Sequence, residues 1–153
     1  EGSGFFQHGH TYSGHPVAAA AGCAVLKEID SKDLVSRVHE LGPRFERALR
    51  EQFLDHQMVG DIRGRGLFWA IELVSNKETK EPFDPALRLA ANIKKTAFEN
   101  GLICYPMAGT RDGITGDHVL LAPPFIIDDI QIDELIGKLA LAIDACAPQQ
   151  TAV

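Results

Sequence analysis

The residues best suited to chemistry lie near the amino end of the chain. Residues 8–16 read HGHTYSGHP and bring together His8, His10 and His15 with hydroxyl groups and glycines. Neutral imidazoles bind zinc, but a zinc site needs three or four converging ligands, and neither a cysteine nor a carboxylate accompanies these histidines. We therefore expect histidines that bond to the backbone or line a polar pocket, and no metal site.

The same segment is a candidate anion site. Pro16 predicts the first turn of a helix that continues through VAAAAGCAVLKEI. The amino end of a helix offers unpaired N–H groups and a partial positive charge, and the preceding Gly, Thr and Ser residues add donors for a phosphate. Serine and threonine also cap helices for purely structural reasons, so the spacing alone leaves both interpretations open.

The residues show no nucleophilic catalyst. The chain has no GxSxG motif, and Cys104 has no identifiable histidine partner, which favours a thiol in the core. None of the seven lysines stands in the apolar or glycine-rich setting of a Schiff-base lysine.

Composition limits the class of protein. A chain of 153 residues predicts one compact domain, with room for a small appendage. The net charge of −6, without a basic cluster, argues against nucleic acid and anionic membranes as partners. No stretch approaches the roughly 18 apolar residues of a membrane span.

Three cysteines without a CxxC pair suit reduced thiols, so we expect a cytoplasmic protein. Because the chain begins with Glu1 and not with Met, we expect a piece of a longer protein.

Periodicity predicts the elements that position these residues. A second helix capped by Asp30 or Ser31 is expected to kink at Gly42-Pro43, and two strands with a bulge or tight bend are expected within residues 58–74. A third helix should run from Asp84 or Pro85 to Asn100.

Two further strands are expected at 102–106 and 118–124, joined by a glycine-rich loop, and a last helix starts at Asp128 or Asp129. The fold class is therefore predicted as α+β, with helices packed on a small, mostly antiparallel sheet and a long amino-terminal helix.

Four blocks in order then identify a resemblance: FFQHGHTYSGHPVAAAAGCAVL, VGDIRGRGLFWAIELV, NGLICYP and GDHVLLAPPFIIDDIQIDEL. Together they resemble the C-terminal part of class III aminotransferases, which are pyridoxal-phosphate enzymes of fold type I. The resemblance implies that residues 1–30 end the large domain, with a phosphate loop and a linking helix, and that residues 31–153 form the C-terminal small domain.

The resemblance also implies roles for single residues. In such enzymes the threonine of this first block reaches across a homodimer interface to the cofactor phosphate of the other subunit; here it is Thr11, with His10 and Tyr12 beside it. Relatives often hold the substrate carboxylate with an arginine just after the strand that corresponds to LICYP, a role that suits its bidentate fork. This chain has Tyr105 there, and its nearest arginine is Arg111 in the following loop. Arg111 either takes this role from a shifted backbone position or is a solvated loop residue.

The resemblance further implies that the Schiff-base lysine of the family precedes these blocks and is absent from this chain. The full enzyme would move an amino group from an amine or ω-amino acid to a keto acid such as pyruvate, and this chain alone should be inactive. The competing hypothesis is a free-standing α+β interaction module without catalysis.

Overall fold

The computed structural model describes residues 2, 4, 6 and 8–148, in two compact units with bounds Glu1–Val35 and Ser36–Val153. Phe6 is exposed, as is Tyr12. None of the helices in the described part of the chain is long and apolar enough to cross a membrane.

The first unit contains helix α1, Pro16–Ser31, which begins at the predicted proline. The prediction that Asp30 or Ser31 caps the second helix is wrong, because α1 runs through both residues. Asp33, at a φ of 45°, makes the turn, and its N–H bonds back to the carbonyl of Asp30. Helix α2 then begins at Leu34.

Helix α2, Leu34–Phe53, continues through the predicted interruption at Gly42-Pro43. Proline removes one hydrogen bond there. The helix is held on the carboxyl side of the proline by Phe45, Leu49 and Phe53, which are fully buried on its inner face. A side chain at Gly42 would meet the backbone of Gly66, so the helix and the next turn approach closely at this point.

The predicted strand pair within residues 58–74 is a hairpin. Strand β1, Val59–Arg65, pairs antiparallel with β2, Phe68–Leu73, through a two-residue turn that begins at Gly66 with a φ of 58°. The register shifts between Val59 and Asp61, which places the expected bulge at Gly60.

The predicted third helix is divided in two. A single 3-10 turn, Pro85–Leu87, is capped by the Asp84 side chain, and helix α3, Leu89–Glu99, follows. Arg88 lies between them in the left-handed region, at φ 50° and ψ 41°, which breaks the hydrogen-bond ladder. The helix stops at Asn100-Gly101 as predicted.

The last strands are displaced from their predicted bounds. Strand β3 spans Tyr105–Ala108 and β4 spans Asp117–Leu121. Helix α4, Asp129–Ala145, begins with a capping box in which Asp128 and Gln131 bond reciprocally. Within the described residues the four strands lie in the order β1-β2-β4-β3, and all three neighbouring pairs are antiparallel.

One face of the sheet packs against α2, α3 and α4, and the α+β prediction is confirmed. Alternate residues of β2 and β4 point into the core, where Trp69 lies opposite Leu121 and Ile71 opposite Val119. The largest fully buried side chains come from both strands and helices: Phe45, Phe53, Leu49, Ile71, Leu73, Ile93, Ile132, Leu139, Ile143 and Val119.

Two glycines provide a matched test of this packing. A Cβ at Gly64 would collide with the Phe68 carbonyl oxygen and with Trp69, whereas a Cβ at Gly137, exposed on α4, would meet nothing within 4 Å. Gly64→Ala is expected to lower the free energy of unfolding by about 2 kcal/mol or more, and Gly137→Ala to raise it by about 0.5–1 kcal/mol. Urea unfolding measures both, and equal effects of the two substitutions would contradict the hairpin geometry.

Candidate functional site

The His10–His15 segment is a compact double turn. The Ser13 N–H bonds to the carbonyl of His10 at 2.9 Å, and the His15 N–H bonds to that of Tyr12 at 3.0 Å. The Ser13 hydroxyl accepts from the His10 N–H at 3.1 Å, which closes the turn from its other side. Gly14 takes a φ of 75°, which favours glycine. The predicted loop is therefore ordered by its own backbone.

The amino end of α1 is capped by a histidine. Nδ1 of His15 accepts from the Ala18 N–H at 3.3 Å, so this ring caps the helix. Pro16 has no N–H, which leaves the Val17 N–H as the first backbone donor of the helix. His15 thus has the structural role that the sequence left open for this segment.

Thr11 is the second residue of the double turn and is exposed. Its hydroxyl makes no hydrogen bond within residues 8–148 of the structure, whereas that of Ser13 is engaged in the turn. The Thr11 hydroxyl is therefore accessible to a ligand as a hydrogen-bond donor.

Two of the histidines of this segment pack against each other, and the third packs against a tyrosine. The rings of His8 and His10 meet edge to face with centroids 4.9 Å apart, and Tyr12 lies edge-on to His15 at 5.8 Å. Over residues 8–148 there is no group of three histidine, cysteine or acidic side chains that could hold a metal ion.

In the second unit, Tyr105 begins β3 on the sheet face opposite the core. It pairs with Leu120 and its side chain is 57% exposed. Met107 follows on the same face, opposite His118. Tyr105 is therefore available to a ligand on the outer face of the sheet.

Arg111 lies in a tight loop beyond the other end of β3. Asp112 holds the loop: Oδ1 accepts from the N–H groups of Ile114 and Thr115, and these bonds keep the pKa of Asp112 below its usual range. The Arg111 side chain extends to Glu81, with Nη1 3.8 Å from the carboxylate. Since β3 separates Tyr105 from this loop by about 10 Å, the two predicted substrate residues are not brought together.

A polar cluster lies on the same sheet face as Tyr105. Arg63 pairs with Asp61 at 2.8 Å and with Glu72 at 2.5 Å, and Glu72 lies opposite His118 in the sheet. The Nδ1 of His118 shares a 2.6 Å hydrogen bond with the Thr110 hydroxyl.

Burial and the neighbouring Arg63 lower the pKa of His118, so its ring is neutral at pH 7. The alternation in DHVLL indicates that His118 and Leu120 share a face, but the partners of His118 follow only from the pairing of β2, β3 and β4. The outer face therefore combines a neutral imidazole with a carboxylate-arginine cluster.

The core-thiol interpretation of Cys104 agrees with its surroundings. The side chain is partly buried against the core, and burial raises the pKa of its thiol to about 11. The thiolate form is therefore scarce at neutral pH.

Asp117 is the one buried charged residue in the described part of the chain, at 5% exposure. Its Oδ1 accepts from the Ala90 N–H in the first turn of α3 at 3.3 Å. Arg88 makes no side-chain cap bond, so β4 supplies the cap that α3 lacks locally. Burial raises the pKa of this carboxyl, and the bond to Ala90 and the nearby His118 oppose the rise.

This geometry predicts opposite effects for two substitutions at Asp117. Because its pKa is raised, Asp117 holds its proton more tightly in the folded state than in the unfolded state, and protonation therefore stabilises the fold. This stabilisation is complete below the unfolded pKa of about 3.9 and is lost as the pH rises through the folded pKa. Asp117→Asn keeps the acceptor and removes the charge, so the variant should be more stable than the parent at pH 7, with the difference vanishing near pH 3.

Asp117→Ala leaves the Ala90 N–H unpaired and should lower the free energy of unfolding by about 1–3 kcal/mol. Denaturant titrations at several pH values measure both variants. A difference between Asp117→Asn and the parent that stays constant with pH would contradict the raised pKa.

Comparison with known proteins agrees with the resemblance. The family model described as aminotransferase class-III matches residues 2–143. An aminotransferase of Gibberella zeae is 43% identical over 143 residues, which cover 93% of this chain and 28% of that protein. An uncharacterized aminotransferase of Schizosaccharomyces pombe is 46% identical over 141 residues, or 92% of this chain and 30% of that one.

A putrescine–pyruvate aminotransferase of Pseudomonas aeruginosa is 37% identical over 146 residues, which cover 94% of this chain and 30% of that protein. The fold is also similar to that of a PMP-bound aminotransferase from Vibrio fluvialis, with a TM-score of 0.78 and 37% identity over 93% of this chain and 29% of that one. The chain spans about 30% of the length of the curated relatives it matches. It belongs to the class III aminotransferase family.

Proposed function

We propose that this chain is part of a pyridoxal-phosphate-dependent transaminase that moves an amino group from an amine or ω-amino acid to a keto acid such as pyruvate. Family membership over residues 2–143 supports this proposal. One relative is a putrescine–pyruvate aminotransferase, and others are gamma aminobutyrate transaminases. The single structural observation that carries it is the exposed Thr11 hydroxyl on the ordered turn before α1.

The donors of this turn fit a phosphate group. The Thr11 hydroxyl would donate a hydrogen bond to the cofactor phosphate. In the proposed homodimer this cofactor belongs to the neighbouring subunit. His10 and Tyr12 would line that neighbour's pocket, and His15 would keep the helix start in place through its bond to Ala18. When bound, pyridoxal phosphate supplies the electron sink that amino-group transfer requires.

The surroundings of the lysines in this chain support a Schiff-base lysine that lies outside residues 1–153. Within this chain, Lys77, Lys80 and Lys138 bond to the backbone carbonyls of Leu54, Gly60 and Gly101. Lys94 and Lys95 are exposed on α3, while Lys27 and Lys32 are exposed at the end of α1. We propose that the Schiff-base lysine precedes Glu1 in the full enzyme, that the isolated chain is inactive, and that the enzyme is cytoplasmic.

The same proposal divides the enzyme into a large and a small domain. Residues 1–30 would end the large domain and residues 31–153 would form the small domain, with Tyr105 in the wall of the substrate site. Arg111 could hold a substrate carboxylate only after it leaves Glu81, since the arginine is paired with that residue in the structure.

The phosphate role is tested by substituting Thr11 in the full-length enzyme. Loss of a hydrogen bond to a charged group costs about 1.5–3 kcal/mol, so Thr11→Ala should weaken pyridoxal phosphate binding by about 10- to 150-fold. Thr11→Ser keeps the hydroxyl and should stay within about threefold of the parent. Equilibrium dialysis of the cofactor measures this.

Thr79→Ala is the matched control, because Thr79 is also exposed and lies in a turn of the second unit. Cofactor affinity equal in Thr11→Ala and Thr79→Ala would exclude the phosphate contact.

The role of Arg111 is tested by the KM values of two amino donors. If Arg111 holds a carboxylate, Arg111→Ala should raise KM for a carboxylate-bearing donor by about tenfold or more, and Glu81→Gln should lower it by freeing the guanidinium. KM for a monoamine should stay unchanged in both variants. Parallel changes for the two donors, or none, would show that the pair is a surface ion pair of little energetic weight.

A further inference from the structure

A groove separate from the proposed cofactor and substrate residues runs between α3 and the segment that leads into β3. It encloses about 320 Å³. Phe98 and Ile103 are 69% and 86% exposed along it. The residues lining the groove are Ala91, Lys94, Lys95, Phe98, Leu102, Ile103 and Cys104. Large apolar side chains exposed together mark a binding surface more often than isolated ones do.

The edge of the sheet beside this groove is poorly suited to an added strand. Strand β3 is an edge strand of four residues, and Pro106 within it has no N–H to donate. Short edge strands that contain proline resist pairing with another chain. Addition of a strand at this edge is therefore disfavoured.

The rim of the groove is positively charged in a chain whose net charge is −6. Lys94 and Lys95 border it on α3. Lys95 lies 3.9 Å from Glu99, and Lys94 has no carboxylate within 4.0 Å among the residues that the structure describes. The ammonium group of Lys94 is therefore available to an anion beside an apolar surface.

We propose that this groove binds a small apolar carboxylate of the size of a medium-chain fatty acid. Its hydrocarbon chain lies against Phe98 and Ile103, and its carboxylate lies beside Lys94. The volume suits a small ligand, because small-molecule sites begin near about 300 Å³. Binding is non-covalent, since the Cys104 thiol in the wall of the groove stays protonated at neutral pH. The site is independent of the proposed transaminase reaction.

The test is a titration of the full chain with octanoate, below its micelle concentration, followed by amide chemical shifts. The shifts should centre on Phe98 and Ile103. Phe98→Ala should weaken octanoate binding by about tenfold through lost apolar contact, and Lys94→Gln by about threefold through the lost ion pair. Leu141→Ala on α4 and Lys27→Gln on α1 are matched controls, since these residues are also exposed, and they should leave the affinity unchanged.

Octylamine is the charge-reversed probe and should bind more weakly than octanoate. Equal binding of the two probes, shifts centred elsewhere, or equal effects of Phe98→Ala and Leu141→Ala would overturn the proposal. Sedimentation of Phe98→Ala gives a further readout: a parent that self-associates through Phe98 would show that a second copy of the chain covers the groove, which also overturns it. Should Phe98→Ala fail to fold, Lys94→Gln and the octylamine comparison decide the question.

Discussion

The pairing of β2 with β4 is the constraint on which the second unit depends. It joins two hairpins that are distant in the sequence, with Trp69 opposite Leu121 and Leu73 opposite Asp117. The closure entropy of the long intervening chain must be offset by apolar burial on the inner face of the sheet. Once formed, the pairing places Asp117 at the amino end of α3 and His118 beside Glu72.

The proposed functional groups depend on this constraint to different degrees. The turn that carries Thr11 is held by hydrogen bonds between residues three positions apart, so its shape requires no distant partner. Tyr105 lies on the outer face only because β3 pairs with β4 in one register, and a shift by one residue would turn its side chain toward the core. The proposed cofactor contact of Thr11 thus depends on local structure, and the proposed substrate contact of Tyr105 depends on tertiary structure.

Charge is distributed unevenly over the second unit. On the outer face of the sheet, two carboxylates surround Arg63, and His118 is neutral. Arg111 is likewise matched by Glu81. The groove at Phe98 differs, because Lys94 stands there beside apolar surface without an acidic partner among the described residues.

Signals contained within a few residues were predicted from the sequence alone. The start of α1 at Pro16, a tight bend within residues 58–74 and a helix start at Asp128 or Asp129 depend on proline geometry, a positive φ and a capping side chain. The four family blocks also identified the family, because their order is a property of the sequence.

Only the tertiary structure decided the remaining features, since each depends on a partner far along the chain. Helix α2 continues through Pro43 beside buried Phe45, and α3 begins after Arg88 because Asp117 caps it from β4. The ion pair of Arg111 with Glu81 likewise joins two separate loops. Local propensity is worth a few tenths of a kcal/mol per residue, up to about 3 for proline, and the packing of a core outweighs it.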